Sequence, residues 1–199
     1  VDWGDGTRET ITAYNQSEKT HQYASTGIYE VRIIGDISGW YFNNGGDDDK
    51  IVEISSWGPL TITNGYRTFY GCSNLNVTAI DAPTLVLTSE GMRDIFLQCY
   101  NMGNQGNMNF WDTSSVTNMQ SVFNNCRSFS QPIGNWDVSN VTTMASMFQN
   151  ATGFNQPIGD WNVSSVQNFS SMFRNYYDTN TPMAFDQDIG NWDTSSATN

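Results

Sequence analysis

Apolar positions return along the chain at a nearly fixed interval from residue 57 onward. Trp57 precedes Phe69 by the same distance in sequence as Trp111 precedes Phe123. Four tryptophans continue the series, evenly spaced except for a longer last interval: Trp111, Trp136, Trp161 and Trp192. Self-similarity at a period of roughly 25 residues is typical of proteins built from stacked repeats.

Each repeat combines two apolar patterns. Trp136 and Val138 alternate, so they share one face of a short extended segment. Ser139 and Asn140 follow, and both are residue types that begin helices. Apolar residues then return every three or four positions, which predicts a short helix. These residues are Val141, Met144, Met147, Phe148 and Ala151.

Neither a short strand nor a short helix can bury its apolar side alone, whereas stacked copies can. The sequence therefore predicts an α+β repeat solenoid made of short strand plus short helix units. We expect the stretch 57–199 to hold about five units of roughly 25–31 residues each, and a truncated sixth. Residues 37–56 are expected to form a connector and a capping strand, and residues 1–36 a separate β-rich segment.

The three cysteines recur at the same place in successive repeats. Cys72, Cys99 and Cys126 are evenly spaced, and each lies three positions after a phenylalanine, on the predicted apolar stripe. Free cysteine in such a position behaves as a small hydrophobic residue, and an odd count argues against a disulfide framework. The sequence predicts no cofactor and no metal site.

Charge restricts the function classes. The net charge is −12, and Lys and Arg do not cluster, so a nucleic-acid partner is not expected. No apolar run is long enough for membrane insertion. His21 is the only histidine, so a Ser or Cys nucleophile would have almost no other candidate for its general base. We therefore expect that the protein is not an enzyme.

The repeat resembles a known family. The stretch Ile133-Gly-Asn-Trp-Asp-Val-Ser-Asn-Val141, with Met147-Phe148 after it, resembles the BspA-family leucine-rich-repeat surface proteins of bacteria, over residues 51–199. This resemblance implies a leucine-rich-repeat-like stack that is secreted or surface-anchored. It also implies adhesion to host proteins or other cells, and no catalytic activity.

The opening residues resemble a second family. Val1-Asp-Trp-Gly-Asp-Gly6, followed by His21-x-Tyr23 and Tyr29-x-Val31-x-Ile33, resembles the C-terminal half of PKD-type β-sandwich domains. The resemblance implies an extracellular β-rich module in which His21 has a structural role. The alternation of residues 29, 31 and 33 predicts a strand with one buried face.

Two groups of residues are candidates for a ligand face. The first group directly follows the core tryptophans and should line an exposed strip. Its structural role would be solubility and hydrogen bonding between repeats, and its functional alternative would be a ligand-binding or calcium-binding strip. Its members are Asp112, Asp137, Asn162 and Asp193. The other is Tyr176 and Tyr177 in the longer interval before Trp192, because loops longer than their copies often carry function. Trp40, Tyr41 and Tyr66 are further candidates for exposed aromatic residues.

The sequence thus favours an extracellular protein, secreted or at the cell surface, that mediates adhesion or protein–protein assembly. Its expected partner is a protein or another cell surface, with self-assembly as one form of that role. The alternative is a carbohydrate-binding module of a larger secreted protein, whose partner is a glycan.

Overall fold

The computed structural model describes residues 1–13, 15–35, 41–176 and 182–199. The chain divides into two compact units, Val1–Asp36 and Ile37–Asn199. Each unit has its own internal contacts.

The first unit has little regular structure. Asp2 forms antiparallel bridges with Arg8 and Arg32, and a short 3₁₀ helix covers Ser17–Lys19. None of the described residues of this unit is buried. The predicted buried face of the strand around Tyr29 is wrong, because Val31 and Ile33 are 43% and 41% exposed. The aromatic residues pack on one another instead of under a second sheet.

The second unit contains four two-residue strands in its described part. They are β1 Glu53–Ile54, β2 Thr61–Ile62, β3 Asn76–Val77 and β4 Thr84–Leu85. β1 pairs with β3 in parallel, with Glu53 opposite Asn76, and β2 pairs in parallel with β4, with Thr61 opposite Thr84. A 3₁₀ helix covers Met108–Phe110.

Five segments of consecutive turns make up much of the rest of this unit. We call them the turn segments, and they cover residues 64–75, 88–102, 117–130, 142–155 and 167–176. Alternate backbone N–H groups of one segment donate to carbonyls of the next segment in the chain. Ser121, Phe123 and Asn125 donate in this way to the carbonyls of the 142–155 segment, at 2.8–2.9 Å. The segments therefore stack in register, and all these bonds point the same way along the stack.

Left-handed residues at fixed places create this geometry. Ser121 and Asn125 have φ of 55° and 65°, and Ser146 and Asn150, at the equivalent places of the next segment, have φ of 56° and 57°. A left-handed residue cannot continue an α-helix. The N–H groups of these same residues donate to the neighbouring segment, whereas the next residue bonds back within its own segment, as the Met147 N–H does to the Met144 carbonyl at 3.1 Å.

The predicted α+β repeat solenoid is therefore wrong. The described residues contain no α-helix, and their strands are two residues long and paired only two at a time. The physical reason is that N–H groups expected to bond four residues back are used between segments. The apolar residues at offsets of three and four arise from successive three-residue turns, such as Cys126 N–H to the Phe123 carbonyl at 3.0 Å.

The core lies between the stacked turn segments and the tryptophan-bearing stretches. Phenylalanines at equivalent positions stack face to face, with ring centroids 5.4–5.9 Å apart from each segment to the next. They are Phe69, Phe96, Phe123, Phe148 and Phe173. Burying a phenylalanine side chain stabilises a fold by roughly 1.5–3 kcal/mol, so this column is a large part of what holds the segments together.

Candidate functional site

The predicted strip has the same local structure at each of its four positions. The Oδ1 atom of Asp137 accepts hydrogen bonds from the Ser139 N–H at 3.0 Å and the Ser139 hydroxyl at 2.6 Å. Asp112 and Asn162 make the same pair of bonds with Ser114 and Ser164. Asp193 accepts from the N–H of Ser195 at 3.0 Å. All four residues are exposed, and each closes a turn directly after a tryptophan.

These bonds stabilise the ionised carboxylates. The Ser114 hydroxyl and then its N–H lower the pKa of Asp112 below the ordinary value, and Ser139 lowers the pKa of Asp137 in the same way. The charge of Asp137 opposes this by raising the pKa of Asp112. The two carboxylates thus belong to one acidic surface, and each also has a structural role in its turn.

Tyr176 lies in a different setting from this strip. Its ring is 53% exposed, and the guanidinium carbon of Arg174 lies 4.1 Å from the ring centroid. Its N–H donates to Oδ1 of Asn150 at 2.7 Å, which ties it to the preceding turn segment. Tyr177 and Trp40 lie outside the described residues.

The cysteines are buried in the core. Cys99 and Cys126 donate through sulfur to the carbonyls of Phe69 and Phe96, at 3.1 and 3.0 Å. Burial raises the pKa of the Cys72 thiol to about 12 and raises the pKa of the other two as well. All three are free thiols. Among the described residues, no group of three or more His, Cys, Asp or Glu side chains is arranged to hold a metal ion.

His21 takes part in a structural cluster of the first unit. Its Nε2 lies 2.8 Å from Oδ2 of Asp5, and its ring stacks on Trp3 with centroids 5.0 Å apart. The Thr7 N–H and then the His21 side chain lower the pKa of Asp5. The histidine therefore holds a turn against an aromatic ring.

A second cluster, which the sequence analysis did not single out, lies on the first two turn segments. The guanidinium carbons of Arg67 and Arg93 lie 4.8 and 5.3 Å from the ring centroid of Tyr66. Asp94 is buried, and its Oδ2 lies 3.2 Å from Nε of Arg67 and 3.7 Å from Nε of Arg93. The Tyr66 ring, expected to be exposed, is half-buried between the two arginines.

Related pairs occur elsewhere on the same segments. The guanidinium carbon of Arg127 lies 5.3 Å from the centroid of Tyr100, and that of Arg67 lies 5.4 Å from the centroid of Tyr70. One interval in sequence, equal to the spacing of the cysteines, separates Tyr66 from Arg93, Arg67 from Asp94, and Tyr100 from Arg127. That shared spacing is the signal in the sequence that identifies these contacts between neighbouring segments.

No described helix of the chain has the length and apolar character needed to cross a bilayer.

Comparison with known proteins gives one finding. A family model described as "Mycoplasma protein of unknown function, DUF285" matches residues 90–199, which include the last four turn segments almost completely. Neither the curated proteins nor the solved structures contain a match to the chain.

Proposed function

We propose that this chain, which belongs to the DUF285 family, is a non-catalytic binding protein that attaches to a protein on a cell surface or takes part in extracellular assembly. The observation that carries the proposal is the register of the turn segments. Backbone bonds of 2.8–3.2 Å and stacked rings hold equivalent side chains of successive segments side by side.

Such register supports a binding role because it pre-orders a surface. Side chains that are already fixed lose little conformational entropy when a partner binds, and this favours affinity. The extracellular location is proposed from the composition and from the resemblance to bacterial surface proteins. Only 14% of the residues are charged, and Asn, Ser, Thr and Gly supply much of the polar surface instead.

A carbohydrate-binding role is the second candidate. It is favoured by the aromatic side chains that face solvent, Tyr41 at 55% and Tyr176 at 53% exposure. Tyrosine is amphipathic, with a flat ring and a polar tip that suit a partly wet contact.

Adhesion of chain-coated beads to cultured cells tests the proposal. We expect coated beads to adhere more than albumin-coated beads. Adhesion should be lost when proteases trim the cell-surface proteins and retained when glycosidases remove the glycans. Adhesion at the albumin level contradicts a binding role, and loss on glycosidase treatment alone supports the carbohydrate alternative.

A further inference from the structure

The chain contains two Asn-Gly pairs, and the structure places them in contrasting environments. They are Asn44-Gly45, before the first turn segment, and Asn64-Gly65, at the start of that segment. An asparagine side chain that is followed by glycine can react with the backbone nitrogen of that glycine, which has no Cβ to hinder the approach. The surroundings of each pair decide whether this reaction can occur in the folded chain.

The pair Asn44-Gly45 is open to solvent. Both residues are exposed, and a Cβ added at Gly45 would have no neighbour within 4 Å. Among the described residues, neither the side-chain amide of Asn44 nor the N–H of Gly45 has a hydrogen-bond partner. The two groups that would react are therefore both accessible.

The pair Asn64-Gly65 is held in place instead. Oδ1 of Asn64 accepts a hydrogen bond from the Tyr66 N–H at 3.1 Å, and its carbonyl accepts one from the Thr68 hydroxyl at 2.7 Å. Gly65 is buried, and a Cβ there would collide with the carbonyl oxygen of Gly91. Attack by the Gly65 nitrogen would require this part of the chain to open first.

Asn44 also covers the outer edge of the first turn segment. Its N–H donates to the Tyr70 carbonyl at 2.7 Å. A Cβ at Gly71 would lie 2.5 Å from Oδ1 of Asn44 and 2.6 Å from Oδ2 of Asp48, so these two side chains pack together over that glycine. A chemical change at Asn44 would therefore act directly on the edge of the stack.

We propose that Asn44 is a site of spontaneous deamidation, and that its conversion loosens residues 42–44 from the first turn segment. The Gly45 nitrogen loses its proton to water and attacks Cγ of Asn44. The bond from Cγ to the side-chain nitrogen then breaks, and ammonia leaves. Water opens the resulting cyclic imide at one of its two carbonyls, which leaves a normal or a β-linked aspartyl residue. Water is the only co-reactant, and nothing is oxidised or reduced.

Either product disturbs the contact with the first turn segment. Each carries a new carboxylate beside Asp48, and like charges at short range repel one another. The β-linked product also inserts a methylene group into the main chain, which displaces the neighbouring peptides. The N–H groups of Phe42 and Asn44, which bond to the carbonyls of Thr68 and Tyr70, should therefore lose protection from exchange.

Mass spectrometry of proteolytic peptides from the incubated full chain tests this inference. We expect conversion at Asn44 to be at least about tenfold faster than at Asn64 in the folded chain, because Asn64 must react from a locally opened state. The rate at Asn44 should rise with pH, because the attacking nitrogen must lose its proton. In concentrated urea the two sites should react at similar rates, which separates the effect of the fold from that of the local sequence.

Gly45→Ala is the matched variant. Its Cβ meets no neighbour, and Gly45 is not among the left-handed glycines, so the fold should accept alanine. The added Cβ hinders the attack, so conversion at Asn44 should slow severalfold. After incubation, the amides of Phe42 and Asn44 should exchange faster in the parent than in this variant, whereas those of Phe123 and Asn125 should exchange equally in both.

Four results would overturn the inference. Two concern the parent chain: equal conversion at Asn44 and Asn64 when folded, and a difference between them that persists undiminished in urea. The third is loss of ammonia from Asn44 that Gly45→Ala does not slow, because the glycine nitrogen would then not be the attacking group. The fourth is exchange of the Phe42 and Asn44 amides that is the same before and after full conversion.

Discussion

At the scale of single residues, the tryptophans show how the repeats differ beneath a shared pattern. Trp136 Nε1 donates to the carbonyl of Met108 at 2.7 Å, and Trp161 Nε1 donates to the carbonyl of Ile133 at 3.3 Å. The indole N–H groups of Trp57 and Trp111 are buried without a partner among the described residues. In both bonded cases the acceptor carbonyl lies three residues before the preceding tryptophan, and no tryptophan occurs between Trp57 and Trp111. An unpaired buried donor costs free energy that a paired one does not.

This difference gives a matched pair of variants. Trp136→Phe should lower the free energy of unfolding by about 1 kcal/mol more than Trp111→Phe does, because only the first removes a hydrogen bond. Both changes shrink a buried ring by a similar amount, so the loss of packing largely cancels in the comparison. Urea unfolding followed by fluorescence measures both values. Equal losses, or a larger loss for Trp111→Phe, would contradict this account of the indole groups.

The turn-closing aspartates predict how stability depends on pH. The pKa values of Asp112 and Asp137 are lower in the folded chain than in the unfolded one, so their contribution is present above the unfolded value, near 3.9. It is lost as the pH falls through the folded value. Unfolding free energy should therefore decrease from pH 5 to pH 2. Both groups are almost fully exposed, so the contribution of each is small.

Asn162 already occupies the place that is equivalent to Asp112 and Asp137. An Asp→Asn change at those two positions should therefore keep the turn while removing the charge. The double variant Asp112→Asn and Asp137→Asn should keep the fold and show a shallower decrease of stability between pH 5 and pH 2. Thermal unfolding across that range measures it. An unchanged pH dependence would mean that other carboxylates control the acid response.

Much of the residue-scale picture was predictable from the sequence. The regular spacings correctly predicted that Trp111, Trp136, Trp161 and the cysteines are buried, whereas Trp192, the last of the series, is only partly buried. The residue after each of these four tryptophans is exposed, as predicted. The Tyr–Arg contacts were missed because the repeat was interpreted through its apolar positions alone. Pairs such as Tyr66 and Arg93 become neighbours only after the register between segments is known.

At the scale of elements, the turn segments replace the predicted helices. A stripe of apolar residues at offsets of three and four indicates a helix only when the backbone can bond four residues back. Ser, Thr, Asn and Gln fill most of the remaining positions of the 142–155 segment, and Ser, Thr and Asn are weak helix formers that favour turns. The apolar pattern identified the inward side chains, but it could not distinguish an α-helical backbone from a series of turns.

The left-handed residues make this element testable. Ser146→Val should destabilise the chain by about 1–2 kcal/mol, because a β-branched residue is strained at a φ of 56°. Ser146→Gly should be neutral or mildly stabilising at the same site. Ser165→Val is the control, since Ser165 is not among the left-handed residues. Chemical denaturation compares the three, and equal costs for the two valine variants would contradict the assigned turn geometry.

At the scale of the whole second unit, the stack is continuous and directional. Alternate N–H groups of each of the first four turn segments donate to the next segment. Before them, the N–H groups of Phe42, Asn43 and Asn44 donate to carbonyls of the first segment at 2.7–3.3 Å. Because the rings of neighbouring segments also stack, no segment can open without exposing the interior of the next. The proposed binding function depends on this continuity, because it holds equivalent side chains of different segments side by side.

Native-state hydrogen exchange of backbone amides tests this continuity most directly. The N–H groups of Ser121, Phe123 and Asn125, and those of Ser146, Phe148 and Asn150, bond between segments. If the segments share one interior, all six should exchange with a similar free energy, close to that of global unfolding. Amides that exchange within minutes, or two sets with unrelated opening free energies, would contradict the shared interior and the binding surface built on it.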